Sequence, residues 1–128
     1  MKKIRPWMSM LENGAAPEWP LGTLAFYGPD NLHASKVVAT VIAYDGAEPL
    51  MRKWFEDRVD VRVDRRIGKE VTRFFKTQGA RQISLMAGIF GCPHEEGVDY
   101  PDGEACLQCP FWATHNRYQD SVPRNVAF

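Results

Sequence analysis

The chain has 128 residues, with 16 basic and 16 acidic side chains, 45% hydrophobic and 25% charged residues. That composition fits one globular domain with a core of its own, excludes a chain disordered throughout, and supplies no net charge to draw it toward nucleic acid or a membrane surface. The balance is unevenly spread, because residues 51–81 hold ten bases against five acids, whereas 82–120 hold six acids and a single base, Arg117.

The opening, MKKIRPWMSMLENG, is basic but lacks the apolar run of a secretory signal. Residues 1–20 combine Pro6, Pro17 and Pro20, which block regular ladders, with Trp7, Met8, Met10, Leu11 and Trp19, which are too apolar for a free tail. They read as an irregular arm lying across the domain. Segments 21–27 and 36–44 are rich in β-branched and aromatic residues and flank Gly28-Pro29-Asp30-Asn31, which reads as an antiparallel pair of strands joined by a turn. The longest apolar stretch, 37–44, falls far short of the roughly 20 residues that span a membrane.

From Glu48 the period changes. Leu50, Met51, Trp54 and Phe55 suggest a short helix with Pro49 in its first turn. A second helix opens on Asp64 as cap, turns Ile67, Val71, Phe74 and Phe75 to one side, and stops at Gly79. Residues 82–87 read as a third strand, joined to the second by a parallel crossover. The expected fold is therefore α+β: a small mixed three-stranded sheet, two helices and a C-terminal zinc-binding loop over 91–112. The domain spans 21–118, and 119–128 reads as a tail.

The loop carries the chemistry. Cys92, His94, Cys106 and Cys109 form a Cys-x-His-x11-Cys-x2-Cys pattern that uses every cysteine in the chain. Such spacing lets each pair bite one ion, and three thiolates with one imidazole fill the four positions of tetrahedral zinc, leaving none for water or substrate. An odd number of cysteines in this arrangement points away from disulfides and toward a reducing compartment, the cytoplasm. His115 is a spare ligand should Cys92 or His94 point away. Phe111 and Trp112 read as apolar cover for the metal, or alternatively as an exposed pair for a protein partner. Glu95, Glu96, Asp99, Asp102 and Glu104 read as a solvated acidic face.

Two rival functions stay open beside a structural zinc module. His94-Glu95-Glu96 followed by Cys106-Leu107-Gln108-Cys109 partly resembles the His-x-Glu and Pro-Cys-x-x-Cys signature of zinc nucleoside and base deaminases, which implies Glu96 as acid/base. Ala105 stands where that family has proline, Cys92 offers a fourth ligand, and eleven residues are too few for the strand and helix between the family's motifs. The other rival is nucleic-acid binding. Arg65, Lys69, Arg73 and Lys76 are spaced four, four and three apart and share one stripe of the second helix, which is either its wet side or a contact surface. Asp30, His33 and Ser35 contain the letters of a hydrolytic triad but crowd into one turn, so they are set aside.

The ending also resembles that of a group of small bacterial proteins of uncharacterised function that share GCPHEEGxDYPxGExCxxCPFW, matched here over 91–112. The Phe26 to Pro29 turn and the stretch from Trp54 to Arg62 look similar too, so the resemblance covers residues 24–118. It implies a metal role for Cys92, His94, Cys106 and Cys109 and no particular activity. The reading as a whole is a zinc-stapled binding or regulatory module, not a catalyst.

Overall fold

The computed structural model describes residues 16–115 and 122–128. Five strands and one α-helix are found there: β1 Leu21–Tyr27, β2 Lys36–Ile42, β3 Leu50–Phe55, α1 Arg65–Thr77, β4 Gln82–Gly91 and β5 Val122–Ala127, with 3-10 turns at Val61–Val63 and Pro110–Ala113. The strands form one sheet in the order β3-β2-β1-β4-β5. Only β1 and β4 pair in parallel, and the other three neighbours are antiparallel. The class is α+β, but three strands with two helices is overturned. The irregular arm expected over 1–20 lies for the most part outside the described residues.

Two corrections account for the difference. Leu50–Phe55 is an edge strand and not a helix. Leu50, Met51 and Phe55 stay about half exposed or more, and Trp54 alone is buried. Four apolar residues on six positions suit either period, and the choice was made by the neighbour: β2 is buried along nearly its whole length, and its outer backbone groups need a partner. Val122–Ala127 is the second correction, since it pairs with β4 from Gln82↔Ala127 to Ala87↔Val122. Pro123 cannot donate to a ladder, and the edge is where a sheet tolerates it.

The crossover also runs differently. The strand at 82 lies beside β1, not beside β2, so the parallel connection goes from β3 through α1 to β4, from one side of the β1–β2 hairpin to the other. Asp64 caps α1 by accepting from Ile67 N at 2.9 Å, and Gly79, with φ of 71°, follows its end. The helix buries Ile67, Val71, Phe74 and Phe75 against Val37, Ala39, Val41, Trp54, Ile83 and Ile89. Helix and sheet meet tightly at Gly22, where a Cβ would come within 2.5 Å of Ile83 Cδ1 and 2.8 Å of Phe75.

One irregularity aims the chain at the site. Along β1 and β4 the register jumps from Leu24↔Leu85 to Phe26↔Ile89 and again to Tyr27↔Gly91, so β4 spends three more residues than its partner, among them Gly88 with φ of 81°. Bulges of this kind bend a strand and redirect the chain that leaves it. The first residue to leave β4 is Cys92.

Candidate metal centre

Four side chains converge beyond the carboxyl end of β4. The Sγ atoms of Cys92, Cys106 and Cys109 lie 3.2, 3.5 and 3.4 Å from Nδ1 of His94. All four donor atoms fall within 4.8 Å of one another. In a tetrahedron with metal–sulfur and metal–nitrogen bonds of about 2.3 and 2.0 Å, sulfur and nitrogen sit about 3.5 Å apart and sulfurs about 3.8 Å. The observed cage has that size. Its donors could hold a metal ion, and Nδ1 is the nitrogen turned toward the sulfurs.

Local backbone geometry explains the convergence. Cys92 Sγ accepts from His94 N at 3.3 Å, which tightens the first pair, and Cys109 N donates to Cys106 O at 3.3 Å, which closes the second. Cys106 and Cys109 are buried, whereas Cys92 and His94 are half-buried. Burial pushes the Cys109 thiol up to about 12, with Cys92 and Cys106 beside it acting in the same direction, and burial raises Cys92 as well. Burial thus favours the protonated form of the Cys92 and Cys109 thiols until a cation replaces their protons.

The loop between the pairs is held by its own acids. Asp99 Oδ2 accepts from Glu95 N and Glu96 Oε2 from Gly103 N, each at 2.7 Å. Glu95 meets both Lys53 and Lys36, the latter at 3.7 Å. Of the five acids read as a solvated face, three are therefore engaged within the molecule. Glu96 is exposed and its carboxylate is taken up by the Gly103 amide.

Lys36 carries a role that the sequence did not disclose. It sits on the sheet face away from α1, only 5% exposed, with Nζ 5.5 Å from the ring centres of Tyr27 and Phe55 and donating to Pro93 O at 2.9 Å. Burial lowers its pKa, opposed by the charge of Glu95. The lysine thus fastens the turn between the first two ligands to β2. A cation opening the apolar run KVVATVI is the one sequence signal of it.

The second tie runs through Trp112. Its Nε1 donates to Gly28 O at 2.8 Å, while Gly28 N donates to Gly91 O at 2.8 Å, so the 3-10 turn after Cys109 and the end of β4 are both fixed to the turn after β1. Trp112 packs against the main core, and Phe111 meets it edge-on at 4.9 Å. His115 stacks on Phe111 at 4.5 Å and is not among the four converging donors.

A cleft of about 520 Å³ opens beside the cage, with His94 and Cys109 in its wall together with His33, Lys36, Asp57 and Asp99. His33 Nε2 is buried there without a hydrogen-bond partner. Asp30 Oδ1 accepts from Leu32 N at 2.8 Å and His33 N at 3.1 Å, so it shapes the turn and serves no relay. Among the described residues no helix is long and apolar enough to cross a membrane. No protein-family model matches the chain, and neither the curated proteins nor the solved structures include a significant match.

Proposed function

We propose that the cage holds zinc and that the ion is structural, turning residues 91–112 into a fixed surface of a binding or regulatory module. The supporting observation is the count of donors at one point: three sulfurs and one imidazole nitrogen complete a four-coordinate shell, and zinc favours that set in closed sites. A Lewis acid for catalysis would need a position left free, and Cys92 takes it. Glu96, the residue a deaminase-like reading would use, is bound to Gly103 N. Phe111 and Trp112 serve as apolar cover, keeping solvent from the thiolates. The three free thiols fit a reducing compartment such as the cytoplasm.

Metal analysis of the purified chain tests the identity, with one zinc per chain expected. Cobalt substitution then tests the shell. Intense thiolate-to-metal bands with tetrahedral ligand-field absorption, unmoved by added anions, are the expected result. A spectrum that responds to azide or cyanide would show an exchangeable position and overturn the structural reading.

A further inference from the structure

The exposed side of α1 lies apart from the metal and presents charge in an unusual state. Arg65, Lys69, Arg73 and Lys76 are all exposed and form one stripe, with successive steps of about 6, 6 and 4.5 Å along the helix axis. Among the described residues none of the four has an ion pair. Other bases nearby do: Arg66 and Arg52 share Glu70, Arg62 grips Asp60, and Lys53 meets Glu95. A shallow groove runs along the stripe, with Gly68 and Thr72 between the cations and no acid in its lining.

Gly68 is a second, independent sign. It is the fourth residue of α1, already inside the helical hydrogen bonding through its N–H to Asp64 O, and a Cβ added there would meet nothing within 4 Å. Helix interiors disfavour glycine, and neither packing nor a left-handed backbone asks for one here. A bare backbone amid unpaired cations suits the close approach of an outside backbone.

From these features we infer that α1 docks on the phosphate backbone of a double-stranded nucleic acid. Alternative partners fit less well. The apolar side of the helix is buried in the core, so it cannot insert into a membrane as an interfacial helix does. No aromatic residue lies on the stripe to stack with bases, which disfavours a single strand. A second copy of the chain offers a weaker match, because Glu95, Glu96 and Asp99 of its acidic loop are already engaged and only Asp102 and Glu104 are left to face four cations. With the four cations assigned to phosphates and Thr72 Oγ1 turned back onto Gly68 O, the contact is sequence-independent and positional.

Anisotropy titrations of labelled DNA and RNA duplexes of one mixed sequence, using the full chain at low salt, test this directly. Binding should weaken with salt along a log–log slope of about −3.6 for four phosphate contacts, and unlabelled duplexes of other sequence should compete equally. The duplex that binds more tightly identifies the partner. Lys69→Ala with Arg73→Ala should reduce the slope by about 1.8 while leaving the fold intact by circular dichroism, since both side chains are exposed and, among the described residues, unpaired. Arg66→Ala, whose guanidinium Glu70 already holds, should keep most of the slope. Absence of binding to either duplex, an unchanged slope in the double variant, an equal loss in Arg66→Ala, or uptake by anionic lipid vesicles in place of the duplexes would each overturn the inference. Metal content stays outside all these readouts, so the outcome is separate from that of the zinc reading.

Discussion

The two halves of this molecule are ordered by different physics. The helix and sheet meet through carbon: Ile67, Val71, Phe74 and Phe75 interlock with Val37, Trp54, Ile83 and Ile89, and Gly22 lets the layers close up. Between β4 and β5 that resource thins to Trp112, which rests partly buried against the core. Between residues 92 and 112 the only buried side chains are Cys106 and Cys109, two of the four converging donors. A segment with so little apolar burial cannot offset the entropy of ordering its backbone, and the acid-to-amide bonds of Glu96 and Asp99 are each worth only about 1.5–3 kcal/mol. An ion drawing together the four donors would supply what the loop lacks.

The largest expected effect separates the halves. Stripping the metal with a strong chelator removes on the order of 10 kcal/mol of apparent binding free energy. Amide exchange should accelerate throughout 91–112 while β1, β2 and α1 remain protected. One common unfolding midpoint for both regions would show instead that they form a single cooperative unit. The converse test works on carbon. Phe75→Ala deletes a ring that touches Phe74 and Phe128 and faces Gly22. It should cost about 3–5 kcal/mol in denaturant melts, with the molar ratio of metal to folded protein unchanged. A drop in that ratio would mean that the core sets the geometry of the cage.

What could be read from the sequence obeys the same division. The helix at 65–77 was legible because its signals are local: Asp64 as cap, apolar residues at helical spacing, Gly79 as stop. The donor set was legible because spacing alone brings cysteine pairs together, although what holds the pairs to each other was not. Lys36 and Trp112, 57 and 84 residues from the backbone groups they bind, depend on strand register that no window displays. The same applies to β3, whose six residues fit two periods until β2 demands a partner, and to β5, where Pro123 disguises an edge strand. Nothing in the local pattern announced either pairing.

A smaller effect concerns the stitch between the β1–β2 turn and the crossover. Asp60 accepts from Ala34 N at 2.9 Å and from Arg62 through Nε and Nη2 at 2.9 and 2.7 Å. The Arg62 guanidinium holds its carboxyl well below the usual carboxylate range, reinforced by the backbone amides of Ala34 and Arg62. A carboxylate whose folded pKa is depressed contributes stability that is complete above its unfolded value near 4 and is lost as pH falls toward the folded one. Asp60→Asn should therefore cost about 1–3 kcal/mol at neutral pH, and the gap between variant and parent should narrow below pH 4. A gap that stays constant down to pH 2 would assign the loss to shape and not to charge. The metal content of the variant should not change, since Asp60 belongs to the carbon-built half.

The smallest expected effect carries the opposite sign. Gly68 closes the exposed first turn of α1, its N–H donating to Asp64 O, with open space where a side chain would stand. Gly68→Ala should raise stability by about 0.5–1 kcal/mol, because alanine loses less backbone entropy on folding and nothing obstructs its methyl group. The gain should appear in the unfolding of the helix and sheet and leave exchange in 91–112 untouched, which sharpens the boundary between the halves. A chain that keeps glycine where alanine would be more stable has given up stability at that point, and natural sequences tend to make that concession where function requires it. Should Gly68→Ala instead destabilise the helix, the space beside it is not open, and the cationic groove loses the feature that distinguishes it from an ordinary wet helix face.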